Sequence, residues 1–245
     1  MAIVKVKWSG GKDSTATVLL HIKRGDKVKA VCYIPMFTKE IPLILKDHYQ
    51  FILNTADYFR SLGAEIFIVS GITYYDYVLH RATRGKNKGR ILGFPCFVRG
   101  QCGFKRDSKI KACEQCDVGY YDYESLGIAW DEKIRHNQLN AKIRSILVEE
   151  KYTQVDCAKL CLNHNVYSPV YKKQKRDGCA LCFNATADER KRWFLDYPEA
   201  FNILLHLQDV VRAEIPDTYP LRGYKWFIEP NYQLSMFEEI QYTIN

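Results

Sequence analysis

Ser9-Gly10-Gly11-Lys12-Asp13-Ser14 stands between an apolar run, Ile3 to Trp8, and apolar residues that recur at helical spacing, Ala16, Leu19 and Leu20. Glycines at such a junction let backbone N–H groups approach an anion, and a helix opening there adds positive potential, so the loop reads as a phosphate cradle. The same string also suits a tight strand-to-helix turn capped by Ser9 or Asp13. It is not a Walker A loop, because Val6 stands where that motif needs glycine and Asp13 where it needs Ser or Thr. No G-x-G-x-x-G dinucleotide fingerprint is present.

A second group is made of thiols. Cys157 and Cys161 are spaced i, i+4, which on a helix puts both on one side, and Cys179 and Cys182 form a C-x-x-C shortly after. Four thiolates of that kind suit a tetrahedral site for zinc or an iron–sulfur cluster. Two buried helix cysteines and an incidental pair are the plainer alternative. Cys113 and Cys116 form another C-x-x-C, with Cys96 and Cys102 nearby. Surrounding cations favour thiolates, so this set suits a metal or a thiol relay, and equally small core residues.

The cations themselves are concentrated. Ten basic residues, Arg81, Arg84, Lys86, Lys88, Arg90, Arg99, Lys105, Arg106, Lys109 and Lys111, share their segment with one acid, Asp107. Such a stretch suits a polyanion, tRNA or DNA or a nucleotide's phosphates, and otherwise is a solvated basic loop. The six histidines show no H-E-x-x-H spacing, and none is given a catalytic role. The aromatic tail with Tyr219, Tyr224, Trp226, Phe227 and Tyr232 reads as core rather than as a base-stacking surface.

Positioning these groups requires strands and helices in alternation. Ile3 to Trp8, Val28 to Ile34 and Ala64 to Val69 read as strands. The helix after the loop stops at Gly25, and a second, with Tyr49, Ile52, Ala56 and Phe59 on one face, stops at Gly63. This order predicts an α/β fold, an open parallel sheet with helices on both faces. A short strand is expected near Ser125 to Trp130, then mostly helix from Gln138, with candidates at Val155 to Asn163, Asp188 to Tyr197 and Ala200 to Arg212 and a loop from Asn165 to Gly178. Residues 1–136 are expected to form the nucleotide-binding α/β domain and 137–245 a mostly helical C-terminal subdomain carrying the cysteine cluster.

The chain's 245 residues, 47% hydrophobic and 26% charged, can bury a core and exclude a disordered chain. No window is apolar enough to span a bilayer and the first residues lack a secretory core, so the expectation is a cytoplasmic protein with no membrane partner. Nine cysteines cannot all pair within one chain, which favours metal ligation or thiol chemistry over a disulfide framework.

The string S-G-G-K-D-S at the first strand-to-helix junction resembles the PP-loop of the adenine nucleotide alpha hydrolase superfamily, whose fold is described as HUP-like. Later segments are similar to its PAPS-reductase-like branch of bacteria and phages: Arg84 to Gly89, Gly93-Phe94-Pro95, Gln101-Cys102-Gly103-Phe104-Lys105, Gly127-Ile128-Ala129-Trp130-Asp131-Glu132-Lys133-Ile134-Arg135, and Gly178-Cys179-Ala180-Leu181-Cys182. The likeness runs over about residues 3 to 200. It implies that Ser9, Gly10, Gly11 and Ser14 donate to phosphate oxygens of ATP and that Lys12 offsets developing charge. Asp13 would cap the helix or help place magnesium (Mg). Asp131 and Glu132 would orient magnesium or the acceptor, and Arg135 would clamp an anionic group. Without that flanking motif, these last three would read as an exposed acid–base cluster at a helix start.

Gln101 stands where the branch has tryptophan and Ala129 where it has arginine, and no cysteine follows Cys182 to attack sulfur. Reduction of PAPS is therefore not expected. The leading expectation is an enzyme that binds an adenine nucleotide and adenylates a substrate with release of pyrophosphate, for sulfur or amine transfer to nucleic acid, with a sulfur-donor protein as partner. The alternatives are a sulfonucleotide reductase using an external thiol, and a nucleotide-sensing or nucleic-acid-binding module without turnover.

Overall fold

The computed structural model describes residues 1–214 apart from 86, 87, 96, 99, 100 and 183, so Lys86, Cys96, Arg99 and the aromatic tail lie outside the described residues. The chain forms two compact units that interleave in sequence. The first takes Met1–Ile34, Asp47–Ser70 and Lys111–Asp177, and the second takes Pro35–Lys46, Gly71–Ile110 and Gly178–Asn245. Residue 136 lies inside the first unit's third segment.

The first unit is an α/β layer built on a five-stranded, all-parallel sheet. Its strands are β1 (Ile3–Trp8), β2 (Lys27–Tyr33), β3 (Glu65–Val69), β6 (Tyr123–Leu126) and β7 (Ile143–Arg144), in the order β3-β2-β1-β6-β7. The order reverses at β1: the chain first steps outward to β2 and β3 and then returns to lay β6 on the other side. Helix α1 (Lys12–Lys23) follows β1, and α2 (Lys46–Ser61) joins β2 to β3. Strand alternation sorts the faces. Val4, Val6 and Trp8 are fully buried or nearly so, with the Trp8 indole donating to Thr15 of α1 at 3.0 Å and stacking edge-on against Phe59 of α2. Lys5 points the other way and is itself only 5% exposed. Its ammonium reaches the Cys113 carbonyl and Glu124, while its register partner Lys29 donates to the carbonyls of Val118 and Tyr120. That face is covered by α4 (Lys111–Gln115) and the chain after it.

Gly25 and Gly63, at φ of +81° and +87°, end α1 and α2 in the left-handed conformation that stops helices where the sequence predicts. One expectation is corrected and a second is refined. The strand expected near Ser125 to Trp130 lies earlier, at Tyr123–Leu126, because Gly127 is already the point of contact with α1. The stretch expected to be mostly helical from Gln138, and largely so, also supplies β7, a two-residue edge strand too short to show a period. Beyond it come α5 (Ile146–Glu149), α6 (Gln154–Asn163) and α7 (Val170–Lys173), the last inside the expected loop. A Thr153–Asp156 capping box opens α6.

The second unit packs α3 (Tyr74–Leu79), α8 (Ala187–Asp196) and α9 (Glu199–Glu214) around aromatic rings, with a two-stranded antiparallel sheet of β4 (Phe97–Val98) and β5 (Gln101–Cys102). Trp193 is fully buried, donates to the Pro42 carbonyl at 2.9 Å and meets Phe37 edge-on. An open cavity of about 810 Å³ in this unit is lined by Lys39, Tyr75, Asp76, Glu199 and His206, among others. Among the described residues no helix is long and apolar enough to cross a membrane.

Candidate functional site

The glycine-rich loop turns because Gly10 takes φ +76°, where a Cβ would also strike Ile52 at 2.6 Å and His48 at 3.1 Å. Ser14 then closes the loop on itself. Its hydroxyl accepts from the Ser9 N–H at 3.1 Å, lies 3.1 Å from Ser9 Oγ, and donates to the Gly11 carbonyl at 3.0 Å. Helix α1 starts with Gly11 as N-cap and no side-chain cap, so the expectation that Ser9 or Asp13 caps it is corrected. The polar group facing its first amide comes from far along the chain, since the Lys12 N–H donates to the Tyr171 hydroxyl at 3.2 Å.

Lys12 and Asp13 extend from the first turn as a pair. The Lys12 ammonium donates to Asp13 Oδ2 at 2.9 Å and to Gln154 Oε1 at 3.0 Å. Asp13 Oδ1 is buried without a hydrogen-bond partner, the weakly donating Cys157 thiol being its neighbour. Burial raises the Asp13 pKa, with the charge of Glu132 acting the same way, and Lys12 offsets this only in part.

Segment 127–135 meets this pair from the adjacent strand. A Cβ on Gly127 would lie 2.6 Å from Ser14 N and 2.8 Å from Ser14 Cα, so β6 can end against α1 only with glycine there. Asp131 Oδ1 accepts from the Gln154 N–H at 3.1 Å, which ties it to α6. Glu132 accepts from the Ala129 N–H at 3.1 Å and from Arg135 Nη1 at 2.9 Å. The Arg135 side chain is 46% exposed and engages this glutamate on its own turn. Lys12, Asp13, Asp131 and Glu132 therefore belong to one neighbourhood, linked through Gln154, with Arg135 at its rim.

The thiols divide. Cys157 and Cys161 share one face of α6, as their spacing predicts, and both are fully buried against the first turn of α1. Cys161 donates to the Lys12 carbonyl at 3.3 Å. Burial, reinforced by the Asp13 charge, pushes Cys161 up to about 12 and Cys157 above the ordinary thiol range, so both are protonated at neutral pH. As a donor set the four cysteines suit zinc or iron–sulfur, and a metal taking these two would displace two protons. Cys179 and Cys182 belong to the second unit, where the Cys182 N–H donates to the Cys179 carbonyl in a tight turn. Among the described residues no cluster of three or more His, Cys, Asp or Glu side chains has metal-binding geometry. Cys102 sits on β5, and Cys113 on α4 with Cys116 just beyond it. In the basic segment Arg81 forms a two-pronged pair with Glu214, Arg106 pairs with Asp107, and Arg84, Lys88, Arg90, Lys105 and Lys111 are also exposed.

Four residues at the loop carry no sequence signal: Gln154, His48, Tyr171 and Asp177. His48 is buried beside Gly10, with Nδ1 2.8 Å from Ser168 Oγ, and burial lowers its pKa. A Cβ on Gly11 would run into the Asp177 carboxylate and lie 3.2 Å from the Tyr171 hydroxyl. Only long-range packing brings these to the loop, so no local pattern could have marked them.

Compared with known proteins, the chain matches no protein-family model and no curated protein sequence.

Proposed function

We propose that the chain is an enzyme of the PP-loop type, with the HUP-like arrangement that the sequence resembles, which binds ATP at Ser9 to Ser14 and adenylates a substrate with release of pyrophosphate. One observation carries the reading. The two motifs singled out in the sequence, beginning at Ser9 and Gly127, end neighbouring parallel strands β1 and β6 where the strand order reverses. In open parallel sheets, ligands bind outside the carboxyl ends of strands at such a reversal.

In this reading the amides of the loop and first turn of α1 receive phosphate oxygens. Lys12 turns from Asp13 and Gln154 toward the charge that develops as pyrophosphate leaves. Asp13 and Asp131 offer oxygens suited to magnesium, which would neutralise the phosphates when bound. Arg135, held by Glu132, is the group available at the rim for an anionic acceptor. The exposed cations between Arg81 and Lys111 support an acceptor such as tRNA or DNA, whose binding then weakens steeply with salt.

Pyrophosphate release and calorimetry on the full chain test this. Wild type binds ATP and releases pyrophosphate, and Lys12→Ala lowers release by on the order of a hundredfold. ATP binding without release with any acceptor offered favours a nucleotide-sensing module, and sulfite formed from PAPS favours the reductase. The metal reading on Cys157, Cys161, Cys179 and Cys182 rests on donor chemistry alone. About one equivalent of zinc or an iron–sulfur cluster is expected after anaerobic purification, lost in Cys179→Ser/Cys182→Ser; metal-free wild type ends that reading.

A further inference from the structure

We propose that Tyr171 and Asp177 occupy the anion cradle of the loop as a built-in substitute for phosphate, and that residues 174–177 must withdraw before a nucleotide's phosphates enter. This rests on the nucleotide reading above and adds to it a regulation of the same loop.

The first amides of a helix need partners, and its N-terminus attracts negative charge. Here α1 has no side-chain cap of its own. The Lys12 N–H donates to Tyr171 Oη at 3.2 Å, and the Tyr171 hydroxyl in turn points to Asp177 Oδ2 at 3.5 Å. Amide, phenol and carboxylate thus form a line that ends in a full negative charge. That carboxylate rests on the Gly11 backbone so closely that no side chain could be added there. Lys12 does not neutralise it, because its ammonium is held by Asp13 and Gln154. A phosphate entering the same amides would meet both a steric block and a like charge.

The segment carrying these groups is firm at one end, and at the other the Gln174 amide donates to the Arg176 carbonyl at 2.7 Å but leaves its own oxygen unmet. Ser168 bonds to buried His48, Val170 is 1% exposed and Lys173 pairs with Asp47, so residues 168–173 are anchored. Past α7 the backbone becomes extended at Gln174, with φ −157° and ψ 161°. The Gln174 Oε1 there is buried with no hydrogen-bond partner, a defect that disfavours the closed arrangement. A swing of 174–177 about this point would take the Asp177 carboxylate off Gly11, leave the Tyr171 hydroxyl on its anchored helix, and return that oxygen to water. The closed state therefore carries a built-in cost that ligand binding would relieve.

The test uses the full chain with ATP and, separately, inorganic pyrophosphate. If the closed arrangement holds about nine-tenths of the molecules, apparent affinity is weakened about tenfold. Asp177→Asn should then bind both ligands about tenfold more tightly, and Tyr171→Phe should shift affinity in the same direction by a smaller factor. Trypsin cleavage after Lys175 or Arg176 should rise when ATP is added to wild type. Equal affinity in wild type and both variants overturns the plug and leaves the nucleotide reading standing. Weaker binding in the variants, or protection of Lys175 and Arg176 by ATP, makes Tyr171 and Asp177 ligand contacts and also overturns it. If no variant binds either ligand, the nucleotide reading fails and the plug falls with it.

Discussion

Helix α1 ends in buried polar groups at both of its termini, and the two sets differ in how completely they are satisfied. In its last turn His21 is fully buried, with Nδ1 2.8 Å from Asp26 Oδ2 and Nε2 2.9 Å from Ser125 Oγ. Asp26 also takes the Ala2 N–H at 3.0 Å and Arg24 Nε at 2.8 Å, while Arg24 continues to Glu149 and Tyr123. Since an ionised carboxylate only accepts, His21 donates from Nδ1 and accepts from Ser125 at Nε2. Serine, histidine and aspartate stand here in the order of a hydrolase triad. With Ser125 and His21 both at 0% exposure, no substrate reaches them. At the other end of the helix, the first turn borrows a tyrosine for its amide, leaves Asp13 Oδ1 without a partner and has the Asp177 carboxylate against Gly11. The first arrangement is what stability alone produces. The second retains unmet polar groups, as expected where a ligand is to complete the set.

Breaking the closed end should therefore have the largest effect. Asp26→Ala leaves buried His21 and the Arg24 guanidinium without their shared acceptor, and a loss of about 3–5 kcal/mol in denaturant melts is expected. A loss under about 1 kcal/mol would mean that the network is not the support described, and would weaken the contrast between the two ends.

The next effect is steric and falls at the open end. Gly127→Ala puts a methyl group 2.6 Å from the Ser14 nitrogen, which is backbone and cannot yield. Moving α1 off β6 should cost about 2 kcal/mol. It should weaken ATP binding more than an equally destabilising change at the closed end, because it displaces the loop itself. Equal losses of affinity from two such variants matched in stability would show that the ends do not differ in function.

Acid sharpens the comparison through His21 and Asp26. Burial holds the His21 pKa below 6.5 despite its bond to Asp26, so the unfolded chain binds the proton first and stability falls as pH drops below that value. Asp26 is drawn down to about 2: burial opposes this, but bonds from Ala2, His21 and Arg24 outweigh it. Its contribution is present above about pH 4 and is lost as pH falls toward 2. Two successive losses are expected in melts between pH 7 and pH 3, and His21→Gln should remove the first.

How much of this was legible in the sequence depended on the range of the signal. Strands β1 to β3, α1 and α2 followed from periodicity and from Gly25 and Gly63. The loop followed from residue type and spacing, and segment 127–135 only from the family resemblance. Ser125 was visible only as part of a strand, and the burial of Lys5 was hidden because its partners, the Cys113 carbonyl and the Glu124 carboxylate, are 108 or more residues away. Tyr171 and Asp177 sit in a stretch that reads as loop. The interleaving of the two units has no local signature either, because it depends on which distant segments pack together.

The smallest expected effect concerns Asp13. A carboxyl whose folded pKa is raised above 3.8 disfavours folding once pH exceeds that value, because the unfolded chain ionises more readily. Removing its charge should therefore leave the fold intact or slightly firmer at neutral pH, the reverse of the Asp26 result. In Asp13→Asn the amide oxygen can still accept from Lys12. Stability should stay within about 1 kcal/mol of wild type. Pyrophosphate release should fall, since the oxygen suited to magnesium has lost its charge. A variant clearly less stable at pH 7, with release unchanged, would assign Asp13 to the support of α1 and leave the first turn no more open than the last.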